Sequence, residues 1–340
     1  MFPLNSAAIQ HDTQVRSLAP VFVVGSARSG NTFLYHTLLS SGVFANYRGE
    51  PAVFDLIAPK FGNLASRHNR ERMLAAWLRS MMYRVSGLER DSIRERILNE
   101  CHSRGDFLRI LMGAVARSQG LNRWAVWGPD NLLCMTSIKA EIPDALFIHV
   151  IRDGRDVALS MYREGWIAPF PWDRKQGLLA AALHWKWKLE HGIRGGLHLG
   201  PDYLEVHFED LVANTEETLA QISGFIAYDL DLSEIRRRSV GAVATPNSTF
   251  REEIVANSFQ PVGRWRHILS VAEVKTLECG IGPLLQRLGY ALASNEIAPP
   301  SFQQCLSQVL YPRYFSAKQW LKLHTIFGRL TSVERLALTQ

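Results

Sequence analysis

Two segments of the chain combine residue types that could bind a phosphate-bearing ligand. The first is GSARSGNT at residues 25–32, a glycine-bounded loop with hydroxyl and arginine side chains. Backbone N–H groups of such a loop converge on an anion, and the dipole of a following helix adds favourable potential. Gly25 and Gly30 have the spacing of the nucleotide-triphosphatase loop, but Asn31 replaces the lysine that contacts the β- and γ-phosphates. The loop is therefore predicted to hold a 5′-phosphate and to suit ATP chemistry poorly; an ordinary glycine-containing turn is the alternative.

The second segment is IRDGRDV at residues 151–157, with Ser160 one helical turn further on. It follows an apolar run that reads as a buried strand, and open α/β sheets bind ligands at the carboxyl ends of their strands. Arg152 and Ser160 could hold a further phosphate through charge-assisted hydrogen bonds. Salt bridges to Asp153 or Asp156 are the alternative, which fits Arg155 better than Arg152.

Elements of two kinds must position these segments. Short apolar runs predict buried strands, and segments with apolar residues spaced by three and four predict helices between them. Because strands and helices alternate, the sequence predicts a three-layer α/β/α fold with a central parallel sheet. The predicted strands are residues 20–24, 124–127, 145–151 and 203–207, and a helical insert is predicted at about residues 63–119.

Four motifs together resemble those of the sulfotransferases that use 3′-phosphoadenosine 5′-phosphosulfate (PAPS). Residues 22–32 resemble their 5′-phosphosulfate loop, and residues 147–157 resemble their 3′-phosphate motif. Residues 203–211 and 263–266 agree as well, and the motifs follow the family's order. The chain looks most similar to the bacterial and tyrosylprotein sulfotransferases, because it has an arginine in the loop, an RDGR motif and the pair Gly49-Glu50. The resemblance implies a P-loop-like sulfotransferase fold.

The same resemblance implies an activity and a set of site residues. Sulfuryl transfer from PAPS to a hydroxyl or amine acceptor would proceed in line and release PAP, with Arg28 stabilising the bridging oxygen. Arg152 and Ser160 would bind the 3′-phosphate, and Arg264 would close over it. No metal is predicted, because cationic side chains can supply the charge. The residues predicted to bind the donor are Ser26, Ala27, Arg28, Ser29, Gly30, Asn31, Thr32, Phe33, Arg152, Ser160, Arg264 and Trp265.

A general base must take the proton of the acceptor. Glu50 is the predicted base, since it matches the glutamate of the tyrosylprotein enzymes, and Asp130 is the alternative. Trp127 stands where many relatives have a lysine just before the proline of a strand-ending turn. That departure leaves open how the charge on the transferring group is balanced. The identity of the acceptor is also left open, as a small molecule, glycan, lipid or peptide.

Composition and charge indicate the class of ligand and the location to expect. The net charge of +6 suits a polyanionic ligand, although such an excess is common on solvated surfaces, and no nucleic-acid partner is predicted. The four cysteines are scattered and no signal peptide is recognisable, so a cytoplasmic location is predicted. Residues 1–295 are predicted to form one sulfotransferase domain and residues 296–340 a C-terminal helical extension. Its mixed aromatic and basic residues could contact a membrane surface, and the oligomeric state is left open.

Two other functions are compatible with these residues. A P-loop kinase or nucleotidase would need the lysine that Asn31 replaces and a carboxylate at a strand end. A non-catalytic binding protein on a degenerate sulfotransferase fold would explain Trp127. Arg28, Arg152 and Ser160 argue for the active enzyme instead.

Overall fold

The computed structural model describes residues 14–128, 130–293 and 299–325. Their centre is a four-stranded parallel sheet with the strand order β2-β1-β3-β4. The strands are β1 (Val21–Gly25), β2 (Ala125–Trp127), β3 (Leu146–Ile151) and β4 (Tyr203–His207). In register, Val21 of β1 lies opposite both Ala125 and Leu146. The two predicted ligand-binding segments therefore leave neighbouring strands, β1 and β3, at the same edge of the sheet.

Both faces of the sheet are covered, as near-continuous apolar strands require. Phe22 and Val24 pack into a core shared with the helices between residues 67 and 118. Val21 and Val23 point the other way, because successive strand side chains alternate, and pack into a second core with the helix that follows β1. The three-layer α/β/α architecture predicted from the sequence is confirmed.

Helices connect and flank the strands. The helices before β3 are α1 (Asn31–Ser40), a π-helical segment (Val53–Ile57), α2 (Ala58–Phe61), α3 (Arg67–Trp77), α4 (Met81–Ser86), α5 (Arg90–Glu100), α6 (Arg104–Ser118) and α7 (Met135–Glu141). Those after β3 are α8 (Gly154–Arg163), α9 (Gly177–Leu197), α10 (Phe208–Ala213), α11 (Thr215–Ile226), α12 (Leu232–Arg238), α13 (Arg251–Val255), α14 (Trp265–Ile268), α15 (Val271–Arg287) and α16 (Phe302–His324).

The last of these helices, α16, returns to the body of the protein. Ser301 caps its N-terminus in a capping box: the Ser301 hydroxyl accepts a hydrogen bond from the backbone N–H of Gln304, and the side-chain oxygen of Gln304 accepts one from the backbone N–H of Ser301. Tyr311 and Phe315 bury one face of α16 against α9. On the opposite face, Phe302 is 86% and Trp320 is 57% exposed. Within the described ranges, no helix is long and apolar enough to span a membrane.

Candidate active site

A cavity of about 560 Å³ opens at the carboxyl edge of the sheet. Its walls come from the loop after β1, the start of α1, the later part of α8 and the residues just after it, α10 with the start of α11, and the chain between α12 and α14. Ligands bind at this edge of open α/β sheets, because loops and helix N-termini converge there. The lining residues are Ala27, Arg28, Gly30, Asn31, Thr32, Phe33, Glu50, Trp127, Arg152, Ser160, Glu164, Trp166, Phe208, Leu211, Val212, Thr215, Ala242, Pro246, Asn247, Ser248, Arg251, Phe259, Pro261 and Arg264.

The loop after β1 is held in a tight conformation by its own side chains. The Asn31 amide donates hydrogen bonds to the carbonyl oxygens of Gly25 and Ser26 at 3.3 and 3.0 Å. Gly30 adopts a φ of 98°, and a Cβ atom there would lie only 2.2 Å from a ring carbon of Phe208. Glycine is required at this turn because it tolerates positive φ and leaves room for the aromatic ring. Asn31 therefore closes the loop at the position where a phosphate-loop lysine would stand.

Arg28 connects the two predicted ligand-binding segments. Its Nε donates a hydrogen bond of 2.9 Å to the hydroxyl oxygen of Ser160 on α8. The guanidinium lies 5.3 Å from the ring centroid of Trp166, which forms part of the same wall. Burial lowers the pKa of Arg28 from its ordinary value, while Glu164 opposes that effect. The guanidinium stays cationic, since arginine titrates far above neutral pH, and it faces a partly desolvated cavity.

Arg152 supplies a second cation beside the loop. It donates a hydrogen bond of 2.9 Å to the carbonyl oxygen of Arg28 and another to the carbonyl oxygen of Pro261. Its guanidinium lies 4.7 Å from the ring centroid of Phe208. Its buried Nε has no hydrogen-bond partner among the described residues. The guanidinium also lies 3.8 Å from a carboxylate oxygen of Asp156. A buried Nε–H without a hydrogen-bond acceptor favours an anionic ligand, because leaving it unsatisfied is costly.

A third arginine, Arg264, faces the cavity from the chain just before α14. Its Nε donates to a carboxylate oxygen of Glu253 at 2.9 Å, and one buried Nη has no partner within the described ranges. Asp156 holds this segment in place by accepting backbone N–H hydrogen bonds from Gly263 and Trp265 at 2.7 and 2.9 Å. The three arginines therefore line one cavity with donors still available to a ligand.

Arg155 forms a buried salt bridge to Asp153, the alternative to ligand binding that the sequence offers for this residue. Its guanidinium pairs with Asp153 at 2.7 Å and with Glu278 at 2.6 Å, and it stacks on the Trp265 ring at 3.7 Å. The indole Nε1 of Trp265 donates to Asp153 at 3.1 Å. This buried network joins α8, α14 and α15 behind the cavity.

The lining of the cavity also includes Glu50 and Trp127. The chain leading to Glu50 is anchored where the Tyr35 hydroxyl donates to the carbonyl oxygen of Tyr47 at 2.5 Å. Burial raises the pKa of Glu50 to about 8; Asp55 and Asp130 add to this effect, and Lys188 and Lys322 oppose it. Glu50 can therefore lose and regain a proton near neutral pH, as a general base must.

Asp130, the alternative base, has a different environment. Its carboxylate pairs with Lys188 and, at 3.0 Å, with Lys322. Although burial alone would raise the pKa of Asp130, the two lysines hold it well below its ordinary value. A carboxylate paired in this way is a weak proton acceptor. The geometry thus favours Glu50.

A family model decides what kind of protein this is. Residues 20–232, more than half of the chain, match the model of the sulfotransferase family. The chain belongs to the sulfotransferase family. No curated protein sequence matches it.

One solved structure agrees with that assignment at the level of the fold, and others show a lower similarity. The sulfotransferase domain from the curacin biosynthetic pathway is 14% identical with a TM-score of 0.54, covering 81% of this chain and 98% of that domain. A Mycobacterium tuberculosis H37Rv sulfotransferase is 16% identical with a TM-score of 0.41, over 74% of this chain and 80% of that one. Retinol dehydratase, solved with androsterone and PAP, is 14% identical with a TM-score of 0.41, over 84% and 87%. At these identities, the curacin domain shows the fold alone.

Most of the site residues predicted from the sequence of this sulfotransferase meet at the cavity. The three exceptions are Ser26, Ser29 and Trp265, which are buried and do not line the cavity. Those that line it are Ala27, Arg28, Gly30, Asn31, Thr32, Phe33, Glu50, Arg152, Ser160 and Arg264.

Sequence reasoning did not single out several lining residues. Phe208 lies within the third family motif and is the ring on which Arg152 and Phe33 pack. Trp166 and Arg251 lie outside the four motifs, so no sequence signal pointed to them. His149 on β3 is fully buried, and its Nδ1 lies 2.5 Å from the Tyr203 hydroxyl.

Proposed function

We propose that this sulfotransferase moves the sulfuryl group of PAPS to a hydroxyl or amine acceptor and releases PAP. The acceptor atom attacks sulfur in line, and its bond to sulfur forms as the bond from sulfur to the 5′-phosphate oxygen breaks. Glu50 takes the acceptor's proton, and Arg28 stabilises the negative charge that develops on the departing oxygen. The observation that carries this proposal is that Arg28 and Glu50 line the same cavity.

The donor assignment depends on the arginines of the cavity. Residues 29–32 would hold the 5′-phosphate with backbone N–H groups at the start of α1, where the helix dipole favours an anion. Arg152 and Arg264 each keep a buried donor atom without a partner among the described residues, which fits a further phosphate group. The Ser160 hydroxyl accepts a hydrogen bond from Arg28, so Ser160 can both orient the guanidinium and bind a phosphate group beside it. These contacts support a ligand with two separate phosphate groups.

We propose that an arginine, in place of the usual lysine, balances the negative charge of the transferring group. Where many relatives have a lysine, Trp127 offers only an indole N–H, and that atom is buried without a partner in the described part of the chain. Arg28, whose side chain lies between the loop and Trp166, is then the cation next to the transferring group. Substituting it removes this charge while leaving Arg152 and Arg264 for the donor.

Transfer from ³⁵S-labelled PAPS to a panel of phenols, alcohols and amines tests the proposal. Labelled product should form with the wild-type protein and be lost with Arg28→Ala, while both proteins bind PAP. Transfer of the γ-phosphate of ATP to the same panel, with no transfer from PAPS, would contradict it. Binding of PAP by a protein that transfers nothing to any class of acceptor would instead favour a non-catalytic binding protein.

The cytoplasmic location and the membrane contact stay predictions. The exposed face of α16, with Phe302 and Trp320, would be the part that touches lipid. Sedimentation with anionic vesicles checks this, and Trp320→Ser should lower the bound fraction if the contact exists. Equal sedimentation of the variant and the wild type would rule it out.

A further inference from the structure

Four charged side chains form a cluster behind the wall of the cavity that carries Glu50. The Lys322 Nζ lies 3.2 Å from a carboxylate oxygen of Asp55 and 3.0 Å from one of Asp130. Lys188 pairs with the other carboxylate oxygen of Asp130. We call these residues, Asp55, Asp130, Lys188 and Lys322, the carboxylate–lysine cluster. They come from four separate elements: the π-helical segment, the turn after β2, α9 and α16.

Glu50 lies directly against this cluster. Its Oε1 is 3.3 Å from the position that a Cβ atom would take on Gly128, in the turn that leads to Asp130. Asp55 stands in the π-helical segment that follows Glu50 along the chain. Asp55, Asp130, Lys188 and Lys322 all act on the pKa of Glu50. The proton affinity of Glu50 therefore depends on how the cluster is charged.

Counting charges shows where a proton must reside. Glu50, Asp55 and Asp130 are three carboxyl groups beside two lysines, so full ionisation would leave a net negative charge in a largely desolvated region. Asp130 pairs with both lysines and Asp55 with Lys322, whereas Glu50 has no ion-pair partner in the described part of the chain. A buried carboxyl group without a cation takes up a proton in preference to remaining charged. Burial also raises the pKa of Asp55, and Asp130 adds to this effect, but Lys322 opposes it. Among the described residues, Glu50 is thus the carboxyl group of this set that has no ion pair to keep it charged.

Lys322 is the residue on which this arrangement depends. Asp55 is only 7% exposed, and Lys322 is the lysine that it contacts. Without Lys322, Asp55 would also lack a cation, its already raised pKa would rise further, and it would compete with Glu50 for protons. Lys188 would still pair with Asp130, so the lost positive charge would affect Glu50 and Asp55.

We propose that Lys322 is a positioning residue of the active site: it holds Asp55 and Asp130 behind Glu50 and leaves Glu50 as the carboxyl group that exchanges a proton with the acceptor. The proposal rests on the proposed role of Glu50 as general base. It makes α16, which lies beyond the residues that match the family model, a part of the catalytic machinery.

Two further titratable side chains face the cluster and cannot replace Lys322. Burial raises the pKa of Cys134 to about 12. Burial also lowers the pKa of His184 to about 3, with Lys188 adding to that effect. Both groups are therefore uncharged at neutral pH, and the cation that faces Asp55 must come from Lys322.

The test is a pH titration of side-chain carboxyl groups by NMR in full-length protein with ¹³C-labelled aspartate and glutamate carboxyls. Signals are assigned by their loss in Glu50→Gln and Asp55→Asn. Lys322→Met should raise the sum of the Glu50 and Asp55 midpoints by about 1–3 pH units, the effect of removing an opposite charge at close range. Lys322→Arg should keep the wild-type midpoints. Lys318→Met, at an exposed position one turn earlier on α16, is the matched control and should change neither.

The outcomes separate this proposal from the proposed function. Unchanged Glu50 and Asp55 midpoints in a folded Lys322→Met protein would overturn the role of Lys322, as would a failure of Lys322→Arg to keep them. PAP titration of the same proteins tests the donor site separately, because Lys322 does not line the cavity. Lys322→Met should bind PAP as the wild type does. Failure of the wild type to bind PAP would remove the proposed function but leave the titration result valid for the cluster.

Discussion

Replacing Glu50 with glutamine should make folding stability respond differently to pH. The pKa of Glu50 is about 8 in the folded protein, against an ordinary value of 4.5. Between these two values the unfolded chain has already lost the proton that the folded chain keeps. Stability therefore falls as the pH rises, by about 1.4 kcal/mol per pH unit, or about 4 kcal/mol from about pH 5 to about pH 8.5. Glutamine has nearly the same shape and no ionisable proton, so the variant should escape this loss.

Urea unfolding at those two pH values measures the effect. Relative to the wild type, the free energy of unfolding of Glu50→Gln should be about 4 kcal/mol larger at the higher pH than at the lower, so that the variant gains stability over the wild type as the pH rises. Glu164→Gln is the matched control, because Glu164 is exposed at the same cavity, and its stability should stay within about 0.5 kcal/mol of the wild type. If Glu50→Gln and the wild type differ by the same amount at both pH values, the Glu50 carboxyl is not buried and protonated as described.

Three further predictions concern the rate, the donor and the loop. In a transfer assay with an accepted acceptor, the rate should fall about tenfold for each pH unit below about 8, because Glu50 must be ionised to act as base, whereas a rate independent of pH in that range would exclude Glu50. Arg152→Ala should weaken PAP binding about 10- to 150-fold by calorimetry, the loss of a charge-assisted hydrogen bond of about 1.5–3 kcal/mol; an unchanged affinity would place the 3′-phosphate elsewhere. Gly30→Ala should lower the free energy of unfolding by at least about 1 kcal/mol, because φ is positive there and Phe208 fills the space, and wild-type stability would contradict the described loop.

Local sequence patterns predicted the elements that carry the donor side of the site. The apolar runs of β1 and β3 are buried on both faces of the sheet, and each is followed directly by its loop and helix. Contacts within these segments are short-range, as in the hydrogen bonds from Asn31 to Gly25 and Ser26. Spacing along the chain therefore suffices to place Arg28 and Arg152 at one edge of the sheet.

The acceptor side depends on contacts that no local pattern encodes. Lys322 reaches Asp55 across 267 residues of sequence and Asp130 across 192. From the sequence, Glu50 is the predicted base only through its match to the tyrosylprotein enzymes, with Asp130 as the alternative, because each is a carboxylate in a turn beside a proline. They differ only once α9 and α16 place two lysines against Asp130. Trp265 illustrates the same limit, since its place behind the cavity follows from the buried pairing of Arg155 with Glu278.

Calorimetric titration of the purified protein with PAP, with ATP and ADP in parallel and no added magnesium, tests the central claim most directly. The arrangement of Arg28, Arg152 and Arg264 around one cavity predicts that PAP binds, and that ATP and ADP, which carry no 3′-phosphate, bind far more weakly. Binding of ATP without binding of PAP would contradict the assignment of the cavity to a sulfuryl donor.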